Sequence, residues 1–226
     1  MFKLEELKLR RNTWVRSAGI PKHLIGWTLE DCVAVDPDVM EDVNKWLTNI
    51  KNGKIINAIG SRDCGQGMAF FGQPGQGKTT LSAAIIQEAM RIFPLDIFPL
   101  NDIRPCYFIT YASLLDLKGE MMDETTEEAR EMLFEGIMGQ SKDDHRNVKL
   151  LVLDDVGREH NSGSGWNKNM LHHVLRSRFN AGLPTIVTSN IPLENWPQWY
   201  GEATGSFAYE AFINIDLESA KGDLRK

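Results

Sequence analysis

The stretch GQPGQGKTT at residues 72–80 constrains this chain more than any other. It satisfies G-x-x-x-x-G-K-[ST] through Gly72, Gly77, Lys78 and Thr79. Glycines let the backbone curl until successive N–H groups converge on one anion. A lysine at this spacing reaches the outer phosphates, and the following hydroxyl can bind Mg²⁺. Such a loop functions only between a strand and a helix whose N-terminus faces the anion. The flanks meet that demand. Apolar MAFF (68–71) precedes the loop, and TTLSAAIIQEAMRIF follows it with Leu81, Ile85, Ala89 and Ile92 on a helical period. Gly72, Gln73, Pro74, Gly75, Gln76, Gly77, Lys78, Thr79 and Thr80 are therefore read as a phosphate cradle rather than a glycine-rich turn.

The remaining pattern alternates short β-rich runs with helical ones, which predicts a parallel α/β sheet. Strands are expected at 68–71, 106–111, 149–155 and 184–190, with a fifth at 211–215. Helices are expected after the loop, from Ala112, over 125–139 with a Thr125–Glu128 capping box, over 167–182 and from about Asp38 to Asn52. The unbroken aliphatic run of KLLVLDD marks a central strand. Its end carries Asp154 and Asp155, and ligands of open α/β sheets sit at that edge. An Asp pair at a strand end is by itself only a cap or turn signal. Beside a phosphate loop it reads differently: Asp154 holds Mg²⁺ through its hydration shell, and Asp155 orients an attacking water. PTIVTSN ends in the same way, placing Asn190 to bond the terminal phosphate or the water.

Charge and composition narrow the class. The net charge of −6 is uneven: residues 1–22 carry six Lys/Arg and two Glu, so the rest stands at −10. An acidic body argues against tight, non-specific nucleic-acid binding. The basic arm reads either as a partner-docking element or as a solvated helix face. No apolar run is long enough to span a bilayer, and MFKLEELKLRRNTWVR lacks the features of a secretory signal. Three widely spaced cysteines, Cys32, Cys64 and Cys106, suit a reduced compartment, and a cytoplasmic location follows.

In their order along the chain, GIPKHLIGWTLED, GQPGQGKTT, YFITYASLLDLK, LLVLDDVG, LRSRFNAGLPTIVTSN and GDLR resemble the AAA+ ATPases. The likeness is closer to the DnaC-type helicase loaders of bacteria and phages and to the related IstB-type transposition ATPases. It implies a P-loop NTPase of the AAA+ (ASCE) type, with a five-stranded parallel sheet flanked by helices and no separate helical lid domain. It divides the chain into an N-terminal helical arm, 1–30, which would hold a helicase-binding element, and an ATPase domain, 31–226. Lys78 and Thr79 become Walker A, Asp154 and Asp155 Walker B, and Asn190 sensor 1, while Arg225 falls near a C-terminal sensor arginine. ATP and Mg²⁺ are the implied cofactors. A DnaB-like replicative ring helicase, single-stranded DNA and further copies arranged in a spiral are the implied partners, with no membrane.

One departure from the family pattern matters. Family members carry an arginine finger between sensor 1 and the last strand, and GEATGSFAYEAF has no arginine. Arg178, Arg176 and Arg158 are the candidate substitutes, with Arg178 best placed by sequence on the helix that leads into the sensor strand. A slow ATPase used as a switch is expected. Residues 116–144 carry ten Asp/Glu against Lys118, Arg130 and Lys142, which would repel DNA unless that face turns outward. Tyr111 and Trp166 offer rings for base stacking, although packing is the commoner fate of such residues. Three readings of function result: a helicase loader, an IstB-like transposition regulator acting on duplex DNA, or a nucleotide-gated interaction module with negligible hydrolysis.

Overall fold

A computed structural model describes residues 2–33, 35–120, 127–158 and 166–217. Five strands, β1 (Gly67–Phe71), β2 (Cys106–Thr110), β3 (Leu150–Val156), β4 (Thr185–Ser189) and β5 (Phe212–Asp216), form one parallel sheet in the order β2-β3-β4-β1-β5. The helices are α1 (Phe2–Ser17), α2 (Pro37–Lys51), α3 (Lys78–Ile92), α4 (Tyr111–Glu120), α5 (Glu127–Met138), α6 (Trp166–Asn180), α7 (Trp196–Tyr200) and α8 (Glu202–Ala211).

Side chains alternate across a strand, and here the alternation divides the molecule into two cores. From β1, Met68 and Phe70 face one layer, while Ala69 and Phe71 face the other. The first layer joins α1, α2 and α3 through Trp14, Trp46, Ile85 and Phe93. The second joins α4 to α8 through Leu114, Phe134, Leu171, Trp196 and Phe207. With helices on both faces, β1 and β4 are buried throughout and β3 nearly so, which is why β1 and the first half of β3 read as apolar runs.

The N-terminal arm does not stand apart. Trp14 is 1% exposed, and its Nε1 donates to the Asp102 carbonyl at 2.8 Å. Arg10 donates to the same oxygen at 2.7 Å. Ala18, Ile20 and Leu24 continue into the same core. The expected division at residue 30 therefore does not coincide with a packing boundary, because the arm supplies side chains that the first layer needs. Ala18 also accepts a hydrogen bond from the Phe108 N–H at 2.7 Å, which seats the chain on the edge of β2. Gly19 follows with φ +72°, and a Cβ there would lie 2.4 Å from the Phe108 carbonyl, so only glycine fits.

The forecast strands agree with the observed ones to within a residue or so. The helix around Asp38–Asn52 begins at Pro37, because Asp36 caps it by accepting from the Asp38 N–H at 2.9 Å. The Thr125 half of the expected capping box lies outside the described residues. Helices α7 and α8 were not forecast. The sequence of α8, EATGSFAYEA, contains poor helix formers, but its Phe207, Ala208 and Ala211 are buried. Gly205 lets α8 approach α7 closely, since a Cβ there would meet Pro197 Cγ at 2.7 Å. Among the described residues, no helix is long and apolar enough to cross a membrane.

Candidate active site

The loop between β1 and α3 takes the backbone shape that its glycines allow, with φ of +139° at Gly72, +94° at Gly75 and +80° at Gly77. Gly77 is the N-cap of α3, so the positive end of the helix dipole points into the loop. Lys78 is buried at the first position of α3, and its Nζ donates back to the Gly72 and Gln73 carbonyls at 2.6 and 2.9 Å. A cavity of about 310 Å³ opens against this loop. Residues 74–80, Asp155, Arg158 and Asn190 line it, and His23 and Leu24 close its other side.

A bulge in β3 brings the two carboxylates together. Leu153 pairs with Val187 and Val156 with Ser189, so β3 spends one more residue than β4 over the same span. Asp155 absorbs that residue in the left-handed region, at φ +61°, which is uncommon for a residue other than glycine. Its N–H donates to Thr188 Oγ1 at 2.8 Å, and the Thr188 hydroxyl donates to Asp154 Oδ1 at 2.7 Å. Thr79 Oγ1 also donates to Asp154, at 3.0 Å. Asp155 faces the cavity, with Asn190 Nδ2 at 3.4 Å from one oxygen and Arg158 Nη1 at 3.3 Å from the other.

Burial pushes the Asp154 carboxyl above its ordinary range, and the nearby Asp155 charge acts in the same direction. The hydrogen bonds from Thr188 and Thr79 and the charge of Lys78 oppose the rise. A desolvated carboxylate touching a hydroxyl is a hard-oxygen donor pair, which fits Mg²⁺ as a partially hydrated ion. The chemistry of Thr79 and Asp154 thus matches the metal that the motif implies.

The predicted site residues separate clearly. The structure gathers residues 74–80, Asp155 and Asn190 at one cavity, with Gly72, Gln73 and Asp154 directly behind it. Arg178 is elsewhere and is fully buried. Its Nε donates to Thr185 Oγ1 at 2.9 Å, and its two terminal nitrogens donate to the carbonyls of Ile137, Val148 and Pro184 at 2.5–3.0 Å. Burial pushes its guanidinium down to about 9. A cation enclosed in this way cannot reach a neighbouring subunit's phosphate, so its role as a catalytic arginine is corrected to that of an internal clamp. Arg176 stacks over the Phe207 ring at 4.4 Å. Arg225 lies outside the described residues. Of the stacking candidates, Tyr111 is buried with its hydroxyl bonded to the Asn167 carbonyl, whereas Trp166 is partly exposed.

Sequence reasoning missed three contributors. Thr188 links the Asp154 carboxylate to the Asp155 N–H, a role that its place at the ligand-edge end of PTIVTSN did not reveal. His23 and Leu24 reach the cavity only because α3 fastens their segment. Gln87 Nε2 donates to the Leu24 and Trp27 carbonyls at 2.9 and 3.2 Å, and its Oε1 accepts from the Gly26 N–H at 2.8 Å.

A β2-β3-β4-β1-β5 parallel sheet with a phosphate loop after β1, acids at the end of β3 and a polar residue after β4 defines a P-loop nucleotide-binding protein of the AAA+ type. Within that class the chain belongs to the family of IstB-like ATP binding proteins, whose model matches residues 57–209. No curated protein sequence matches it. Among solved structures it is similar to the DnaC helicase loader, with 21% identity, coverage of 87% of this chain and 99% of that one, and a TM-score of 0.58. The match to DnaI has 20% identity, coverage of 87% and 93%, and a TM-score of 0.57. Domain III of the Thermotoga maritima replication initiation protein DnaA matches with 19% identity, coverage of 84% and 66%, and a TM-score of 0.57.

Proposed function

We propose that this chain is an ATP-dependent helicase loader that binds ATP with Mg²⁺, engages a ring helicase and single-stranded DNA during replication initiation, and hydrolyses ATP slowly. The observation that carries the reading is the convergence of Thr79, Asp154, Asp155 and Asn190 at the mouth of the phosphate loop. Lys78 would exchange the loop carbonyls for outer phosphate oxygens. Thr79 and Asp154 would hold the metal, which neutralises phosphate charge when bound. Asp155, held in place by its bulge, would orient water and take up its proton, with Asn190 fixing the carboxylate. Slow turnover follows from the lack of a candidate cation for a neighbouring subunit's site: residues 191–212 supply none, and Arg178 is enclosed.

The loader reading draws further support from the shared fold with a protein described as a helicase loader. The helicase contact is assigned to the outer surface of α1, where Leu9 is 70% exposed. DNA contact through α5 is disfavoured, because Glu128, Glu131 and Glu135 are exposed there. The IstB-like family match favours a transposition regulator as the second reading, which the acidic net charge opposes. Co-purification with a replicative ring helicase, compared with duplex DNA binding in a gel shift, tests the two. Helicase capture that is lost in Leu9→Glu supports the loader. Tight duplex binding without helicase capture supports the regulator.

A further inference from the structure

Among the described residues, Arg158 lines the cavity as a second cation beside Lys78, always charged, and its use is unassigned by the site as described. It follows β3 directly, three residues beyond Asp155, and its Nη1 lies 3.3 Å from Asp155 Oδ2. The pair is open to solvent, with side-chain exposures of 55% for Arg158 and 34% for Asp155. Such exposed pairs are weak and are readily exchanged for a stronger partner. The two ends of the pair differ in freedom. Asp155 is fixed by its left-handed backbone, its N–H bond to Thr188 and the Asn190 amide. Arg158 has a long stem and, among the described residues, no second anchor, and it faces the same cavity as the phosphate loop.

We propose that Arg158 is the cation for the terminal phosphate of its own subunit's nucleotide, and that it exchanges its contact with Asp155 for that phosphate. The inference rests on the nucleotide reading of the cavity. A triphosphate presents more negative charge to Arg158 than a single carboxylate does, and a guanidinium bonds phosphate oxygens in bidentate fashion. Transfer of Arg158 leaves Asp155 Oδ2 free to accept a hydrogen bond from water. One movement therefore reports that a third phosphate is present and uncovers the oxygen that hydrolysis needs. A diphosphate, which stops short of this position, leaves the Arg158–Asp155 pair in place. Arg158 thereby acts in cis, unlike an arginine contributed by a neighbouring subunit, and selects ATP over ADP.

Equilibrium binding of ATP and ADP with Mg²⁺, by calorimetry or with a fluorescent analogue, tests this. Arg158→Ala should weaken ATP binding by roughly tenfold, the scale of one charge-assisted contact, while ADP binding changes by less than about twofold. Arg158→Lys should fall between. Asp155→Ala removes the competitor, so ATP should bind about two- to threefold tighter, a gain that disappears when Arg158→Ala is added. An unchanged ATP-to-ADP affinity ratio in Arg158→Ala overturns the proposal and leaves the nucleotide site intact. A wild-type protein that binds neither nucleotide overturns both.

Discussion

Two arginines twenty residues apart in sequence have opposite fates. Arg178 sits inside the second core, where four hydrogen bonds leave it no freedom. Arg158 sits at the rim of the cavity with one loose carboxylate partner. The chemistry of the side chain is the same, so the difference lies in what surrounds it. Arg178 ties the end of α5, the start of β3 and the turn before β4 through the carbonyls of Ile137, Val148 and Pro184, the last of which also accepts from the Leu151 N–H. Arg158 satisfies nothing that water could not. A guanidinium that completes a backbone network is part of the fold, whereas one that neutralises a solvent-facing carboxylate is available for a ligand.

Substitutions can break this contrast, and the largest effect should come from the inner site. Arg178→Ala should lower unfolding free energy by about 3–5 kcal/mol, because it takes the guanidinium donors from the Ile137 and Val148 carbonyls, weakens the bonding of Pro184 and leaves a cavity. The denaturant midpoint measures it, and a loss below about 1 kcal/mol would show that the clamp matters little. Lys78→Ala should cost roughly 3 kcal/mol in nucleotide binding, about a hundredfold in affinity, with the fold retained by circular dichroism. Equal affinity in that variant would end the nucleotide reading. Thr188→Val keeps the strand but removes the hydroxyl shared by Asp154 and the Asp155 N–H, for about 1–2 kcal/mol in stability and slower turnover. At the other extreme, Arg158→Ala should change stability by no more than about 0.5 kcal/mol. A Tm drop as large as that of Arg178→Ala would erase the contrast.

The sheet was legible because each inner strand carries an aliphatic or aromatic run and each is followed by a helix or turn signal. The phosphate loop was legible because its geometry needs glycine and lysine at fixed spacing. The roles of the arginines were not legible. Arg178 occurs in LRSRFNAG between Ser177 and Phe179, and only its burial and its bonds to Thr185 and to the carbonyls of Ile137, Val148 and Pro184 show that it points inward. The bulge at Asp155 was also hidden, since one surplus residue in β3 shows only when its pairing with β4 is counted. The fastening of His23 and Leu24 by Gln87 joins positions about sixty residues apart, beyond the reach of any local pattern.

The seating of Ala18 and Gly19 on β2 affects how copies of this protein can meet. An uncovered edge strand is a template for another chain's backbone. Here β2 has the N-terminal segment against it, and β5, at the opposite edge, turns Asn214 and Asp216 outward. Neither edge invites open-ended strand addition, so any contact between copies would fall to helices and loops. Truncation through residue 20 would remove that cover along with Trp14. The shortened chains should then stick to one another through their β2 edges, and their failure to bind a partner would reflect clumping rather than a missing contact.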